Sequence, residues 1–345
     1  MKREFYTKLY NELVKSKELY LVTLISGKYK GKSVIGEKLF KADDEIIIEN
    51  ESYKELWSDI LDNIELNKNT YKVIYNNNEI LVEYLDSKPN LVICGGGHIA
   101  LPLCQLGKLL DFKVTIIDDR EEFANKDRFR MADEVICGDF ESVLKENTFG
   151  KNTYFVIVTR GHKDDSICLE TIINKECAYI GMIGSKAKVA GVVKSLLEQG
   201  YSQDIIDKVH TPIGLKIGAQ TPGEIAVSII AEIIKEKNKY KKTEISEDMV
   251  KDIIKDNQGK VLATIVEKVG SSPRGVGTKM LIKEDKQFNG TIGGGSIENA
   301  VYLKSLELIG NKNSDVKEYN LSNSDASNLG MVCGGDVKVV FEYIE

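Results

Sequence analysis

Three observations predict an α/β chain with a parallel sheet in its middle and an α+β segment at each end. From Asn90 onward, short apolar runs alternate with stretches of helical period. The regions before and after read as short strands mixed with single helices, and these two end regions match each other at a constant offset. Alternating strand and helix segments imply βαβ units and therefore parallel pairing. The expected boundaries are 1–88, 89–238 and 248–345.

The elements follow from local pattern. In the first segment a helix is expected over Phe5–Val14, strands over Leu19–Ile25 and Glu45–Ile48, a helix around Leu56–Ile64, and late strands near Val73 and Ile80. The middle region places strands at Leu91–Cys94, Val114–Ile117, Glu134–Cys137, Tyr154–Val158 and Ala178–Ile183, closed by a helix over Gly223–Lys235. Lys235–Asp248 is charged and almost free of apolar residues, which reads as a linker. The last segment opens with a helix, continues with a strand at Val261–Glu267 and a glycine-dense middle, and ends in a strand at Val337–Tyr343. Laying residues 20–40 over 261–281 matches Leu21 with Leu262, Thr23 with Thr264, Gly36 with Gly277 and Lys38 with Lys279, so the end segments are expected to be related halves. The first copy lacks the later glycine clusters and has no arginine between Lys30 and Lys38, and is expected to support the fold without binding ligand.

Composition narrows the function. The chain has 345 residues, 42% hydrophobic and 29% charged, with no unbroken apolar run near the roughly 18 residues of a membrane helix. Its net charge is −6 and its 47 basic residues are scattered, which argues against a nucleic-acid surface. Charge follows the first residues where a secretory leader would need an apolar core, so the cytoplasm is the expected compartment. The six cysteines form no CxxC pair, so neither a stable metal site nor a disulfide framework is expected.

Leu91–Cys94 runs into Gly95-Gly96-Gly97-His98-Ile99-Ala100, a G-x-G-x-x-A turn opening a helix. Gly95 permits the tight turn, Gly97 lets a pyrophosphate approach the backbone, and Ala100 lets the helix pack closely on the strand. Asp118 ends the next strand, where an acid can meet ribose hydroxyls, and His98 sits in the turn itself. This context predicts a Rossmann-type domain binding a nucleotide. Arg160 and His162, after the fourth strand, are the expected second wall of the crevice. With only three histidines in the chain and no Tyr-x-x-x-Lys placed in the sheet domain, the proton-transfer group that a nicotinamide dehydrogenase needs is not evident.

The last segment carries three glycine clusters. In Gly270–Met280, Ser272, Arg274 and Lys279 suit an anionic, oxygen-rich ligand. Thr291–Glu298 contains Gly294, Gly295 and Ser296 and ends where a helix begins, and Met331–Asp336 holds Cys333 between valine and glycine. Cys333, Arg274 and Glu298 are expected to face one cavity, with Cys333 and Glu298 the candidate catalytic groups.

These clusters resemble those of the XdhC/CoxI family. Gly270–Met280 resembles its G-S-S-P-R-x-x-G-x-K-M loop, Gly293–Glu298 its G-G-G-C-x-E loop with Ser296 in the usual cysteine place, and Cys333–Gly335 its C-G-G close. Gly95–His98, Tyr179–Lys186 and Pro212–Ala226 match its Rossmann domain, which here precedes the glycine-turn domain instead of following it. The resemblance implies an accessory protein rather than an enzyme, a chaperone that binds molybdenum cofactor (molybdopterin, or its dinucleotide form) and hands it to an apo-hydroxylase of the xanthine dehydrogenase class, with sulfuration of the cofactor as a possible step. Cys333, whose thiolate is a soft donor, would then lie near the cofactor molybdenum. A cysteine desulfurase is a further candidate partner, and a homodimer is left open. The residues alone keep two alternatives: an NAD(P)-dependent oxidoreductase, and a regulatory protein that senses an adenine nucleotide.

Overall fold

The computed structural model describes residues 2–15, 18–86, 88–270, 274–320 and 335–345. The chain divides into two compact units, one built from both chain ends (Met1–Ser87 with Tyr240–Glu345) and one from Lys88–Lys239. The end segments, expected at 1–88 and 248–345, thus share a single unit.

In the N-terminal half, α1 (Lys2–Val14) leads into β1 (Leu19–Ser26), the short hairpin β2 (Lys28–Tyr29) and β3 (Lys32–Ser33), then β4 (Lys38–Ala42) and β5 (Glu45–Ile48). After α2 (Lys54–Asn63) come β6 (Tyr71–Tyr75) and β7 (Asn78–Leu85). The antiparallel sheet runs β5-β4-β1-β7-β6. Asn76 and Asn77, both at positive φ, join β6 to β7 as asparagine tolerates in a two-residue hairpin turn. One sheet face buries Trp57 and Ile60 of α2 against Val22, Leu24, Ile80 and Val82. The other packs under α1.

The middle unit alternates as its sequence implies: β8 (Asn90–Cys94), α3 (Ala100–Leu109), β9 (Lys113–Asp118), β10 (Glu134–Cys137), α4 (Phe140–Glu146), β11 (Thr153–Ile157), α5 (His162–Ile172), β12 (Tyr179–Met182), α6 (Lys186–Glu198), α7 (Gln203–Ile206), β13 (Val209–His210) and α8 (Pro222–Lys237). All pairs are parallel and the order is β10-β9-β8-β11-β12-β13, the doubly wound arrangement with its switch point between β8 and β11. Two buried clusters cover the two faces of the sheet. Helix α8 opens on a capping box in which Thr221 accepts the Glu224 N–H and Glu224 accepts the Thr221 N–H. Thr221→Ala is expected to cost about 1 kcal/mol, read as an earlier urea transition of this unit; an unchanged midpoint would show the cap to be redundant.

In the C-terminal half, α9 (Glu247–Ile254) precedes β14 (Lys260–Gly270), β15 (Lys279–Lys283), β16 (Phe288–Gly290), α10 (Gly295–Asn311), β17 (Asp315–Asn320) and β18 (Gly335–Ile344). Its antiparallel sheet runs β16-β15-β14-β18-β17, element for element the order of the N-terminal sheet. The registers agree too: Thr23 pairs with Lys38 and Thr264 with Lys279, while Leu21 pairs with Glu83 and Leu262 with Glu342. Both central strands carry a register shift at the matching place, Leu24/Ser26 and Ile265/Glu267. Phe5, Leu9, Leu21 and Phe40 share one core with Val250, Ile253, Leu262 and Leu281.

The linker expected at Lys235–Asp248 is shorter and held. Lys235–Lys237 finish α8, and Glu247 and Asp248 open α9. Between them, the Thr70 N–H donates to the Lys241 carbonyl at 2.6 Å, the Thr243 N–H to that of Tyr84 at 3.0 Å, and Lys242 pairs with Asp86. This pairing, with the Leu85–Thr243 bridge, holds the run against the end of β7.

Candidate functional site

The G-x-G-x-x-A turn leaves β8 at the switch point. Gly95 has φ +109°, and a Cβ there would lie 2.5 Å from the Val158 carbonyl oxygen, beside the backbone that leaves β11. A Cβ on Gly96 would strike the Phe123 carbonyl. Around Gly97 the same position meets nothing within 4 Å. The first two glycines therefore let backbones meet, and the third leaves an opening ahead of α3, whose first turn carries no side-chain cap. Ala100 is fully buried against the sheet. Such a turn is built to receive an anion on backbone N–H groups.

Asp118, expected to meet ribose hydroxyls, is committed elsewhere. It is 1% exposed. Its Oδ2 accepts from the Gly96 N–H (2.7 Å) and an Arg120 amino group (3.0 Å), and its Oδ1 from the Arg120 N–H (3.1 Å) and Nε (2.9 Å). Four donors fill its four lone pairs. Burial alone would raise this carboxyl, but the Arg120 and Gly96 hydrogen bonds outweigh it and hold it below the ordinary aspartate range. Asp118 thus clamps the turn, and the exposed acid at that strand end is Asp119, with Arg120 at 3.6 Å and Arg160 at 3.8 Å.

Two arginines complete this turn: Arg120, which the sequence places close behind Asp118 where it could accept a 2′-phosphate, and Arg128, which sequence reading missed. The Arg120 guanidinium lies 3.7 Å above the Phe123 ring, and Arg128 donates to the Gly96 and Gly97 carbonyls at 3.2 and 3.4 Å. Arg128 belongs to no contiguous motif; its sequence signal was an Arg- and Phe-containing loop between two strands. On the other side, Asp165 is fully buried and accepts from the Thr159 N–H (3.2 Å) and Oγ1 (2.6 Å), fixing the loop that carries Arg160 and His162. Arg160, His162 and His98 are exposed and stand on the β8 and β11 loops, which touch at Gly95 and Thr159.

In the other unit the glycine clusters play distinct parts. Arg274 is exposed. Lys279, expected to bind an anion, is instead buried, with its ammonium paired to Glu83 and donating to the Gly277 carbonyl at 2.9 Å. Burial pushes it below the ordinary lysine range against the pull of Glu83. Glu298 accepts from the Thr291 hydroxyl and from the Ile292 (3.3 Å) and Gly294 (3.1 Å) N–H groups, so it shapes the loop before α10. Gly293, Gly294 and Gly295 all have positive φ, and a Cβ on Gly294 would meet open space; Gly295 and Ser296 begin α10. Ser272 and Cys333 lie outside the described residues, as does the cavity expected around Cys333. Among the described residues no group of three or more His, Cys, Asp or Glu is arranged to hold a metal, and no helix is long and apolar enough to cross a membrane.

Residues 91–233 match the XdhC Rossmann domain and residues 253–320 the XdhC and CoxI family. A probable xanthine dehydrogenase subunit of Bacillus subtilis (strain 168) is 32% identical over 155 residues, 45% of each chain. The molybdenum cofactor insertion chaperone PaoD of Escherichia coli (strain K12) is 31% identical over 80 residues, 23% of this chain and 25% of PaoD. The chain thus spans less than half the length of these relatives. The crystal structure of a xanthine dehydrogenase from Bacillus halodurans shares the fold with a TM-score of 0.53 at 24% identity, over 67% of this chain and 65% of that one. Carrying both matched domains, with the Rossmann domain placed first, the chain belongs to the XdhC and CoxI family.

Proposed function

We propose that the protein is a cytoplasmic maturation factor that binds molybdenum cofactor and delivers it to a molybdenum hydroxylase of the xanthine dehydrogenase class. The observation that carries this reading is the prepared anion cradle of the Rossmann unit. Gly95 and Gly96 are consumed in packing, Gly97 faces open space, and Asp118, Arg120 and Arg128 hold the turn before any ligand arrives. A phosphate of the cofactor, or the diphosphate of its dinucleotide form, is chemically suited to that cradle. In the other unit, the exposed Arg274 and the open side of Gly294 suit an anion of their own. The cofactor brings the molybdenum chemistry; this chain's residues bind and orient the cargo. A separate adenine nucleotide, NAD(P) included, is the second reading, since the same turn accepts any diphosphate. A cysteine desulfurase remains a candidate partner for sulfuration.

Expression in cells that make molybdenum cofactor tests both readings through the mass and absorbance of what copurifies. A pterin with molybdenum, transferable to an apo-hydroxylase that then gains activity, is the expected result. Bound nicotinamide that turns over with a reducible substrate would replace the proposal with the oxidoreductase.

A further inference from the structure

The two halves of the end unit exchange buried charges. Lys38 of the N-terminal half pairs with Glu342 of the C-terminal half, and Lys279 of the C-terminal half pairs with Glu83 of the N-terminal half. All four are at most 5% exposed. The lysines hold matching places after matching loops, and the glutamates matching places on β7 and β18. The bonds at the loop bases also coincide. Leu24 donates to the Glu37 carbonyl (3.0 Å) and accepts from the Gly36 N–H (2.8 Å), and Ile265 likewise donates to the Thr278 carbonyl (3.0 Å) and accepts from the Gly277 N–H (2.7 Å). Two copies of one unit facing each other across a two-fold axis would make this reciprocal contact twice.

The halves differ in what each lysine does next. Lys38 also donates to the Tyr6 hydroxyl of α1 at 3.2 Å, whereas Lys279 donates to the carbonyl of Gly277, inside the glycine loop. A Cβ on Gly277, at φ +87°, would strike the Thr243 side chain and lie 3.2 Å from Glu83 Oε1. At the twin Gly36 a Cβ would meet Ser314 Oγ at 3.6 Å and Glu342 Cγ at 3.7 Å, in ordinary contact. One buried pair therefore ties down a helix and the other a loop.

We infer that the N-terminal half serves the C-terminal half as a built-in dimer mate, with Glu83 a positioning residue that holds Lys279 and, through it, the base of the glycine loop carrying Arg274. As far as ligand binding is concerned, this rests on the cofactor-binding reading above. Removing the charge of Glu83 frees the Lys279 ammonium to turn from the Gly277 carbonyl, while removing that of Glu342 disturbs only the α1 side.

The twin pairs supply the control, in the full chain. Glu83→Gln is expected to speed hydrogen exchange of the Gly277 amide at least 10-fold and to weaken binding of purified molybdenum cofactor at least 10-fold. Glu342→Gln is expected to lower the urea midpoint comparably and to change neither. Should Glu83→Gln fold poorly, the double variant Glu83→Gln/Lys279→Met removes both charges and is expected to fold with the same fast exchange. Equal exchange in the two single variants, or unchanged exchange at Gly277 in Glu83→Gln and in the double variant, would overturn the assignment. If the wild type binds no cofactor, the function proposed above fails, while the exchange contrast still decides the role of Glu83.

Discussion

Gly97→Val is expected to remove phosphate-ligand binding from the Rossmann unit and leave its folding almost untouched, whereas Gly95→Ala is expected to damage the fold itself. The difference lies in where each new Cβ goes. At Gly97 it enters open space, the space an anion must share with the backbone N–H groups. Losing two hydrogen bonds to a charged ligand costs about 3 kcal/mol, roughly a 100-fold loss of affinity. At Gly95 the Cβ would lie 2.5 Å from the Val158 oxygen and 2.8 Å from its carbonyl carbon, at a φ of +109° that L side chains rarely adopt. Neither atom is a side-chain end that can swing away, so β8 and β11 must separate at the switch point, at about 2–4 kcal/mol. Calorimetric titration with an adenine dinucleotide and with purified molybdenum cofactor, beside a urea melt of each variant, checks both. Full affinity in Gly97→Val would place the ligand away from this turn.

That turn was legible because every requirement falls within one short stretch: a buried strand, spaced glycines and a helix with a small first residue. The repeat was legible for a related reason. Lys38 and Lys279 were two of the residues that aligned at constant offset, and they occupy identical register positions in sheets of identical order. Their job was not legible. A lysine amid glycines and hydroxyls looks like an anion ligand when only neighbours in the chain are visible, and the partner that neutralises Lys279 stands 196 residues away. The partners of Asp118 were hidden in the same way, since they are a backbone amide 22 residues earlier and an arginine two residues later whose direction no pattern reveals. The charged run after α8 read as a linker, and what holds it, backbone hydrogen bonds with Thr70 and Tyr84, leaves no mark on side-chain composition. In each case local geometry was readable, and the burial of a charge by a distant segment was not.

The stability of the end unit is expected to fall as pH rises from about 5 to 8.5, and Glu49→Gln is expected to abolish most of that fall. Glu49 is 6% exposed, and its Oε2 has no hydrogen-bond partner among the described residues. Lys2, at 3.7 Å, is shared with Glu342, which lies 3.6 Å from the same ammonium, and Glu37 adds further negative charge. Burial first, then the repulsion of Glu342 and Glu37 against the pull of Lys2 and Lys38, drives the Glu49 carboxyl from an ordinary 4.5 up to about 8. Between those values the folded chain keeps a proton that the unfolded chain has released, so stability declines with rising pH. Glu342 has the opposite sign. Burial would raise it, but Lys38 and Lys2 prevail and hold it below the ordinary glutamate range, so its contribution is fully present above that range and is lost only as pH falls through the depressed value. The two groups act in separate windows, and a neutral-to-alkaline decline is assigned to Glu49. Glutamine mimics the protonated acid, so at pH 5 the variant should match the wild type, and by pH 8.5 it should be the more stable by a few kcal/mol. Urea melts at the two pH values decide it. Curves that stay parallel with and without the substitution would mean that Glu49 ionises in the folded protein as it does in water, and that Lys2 neutralises it.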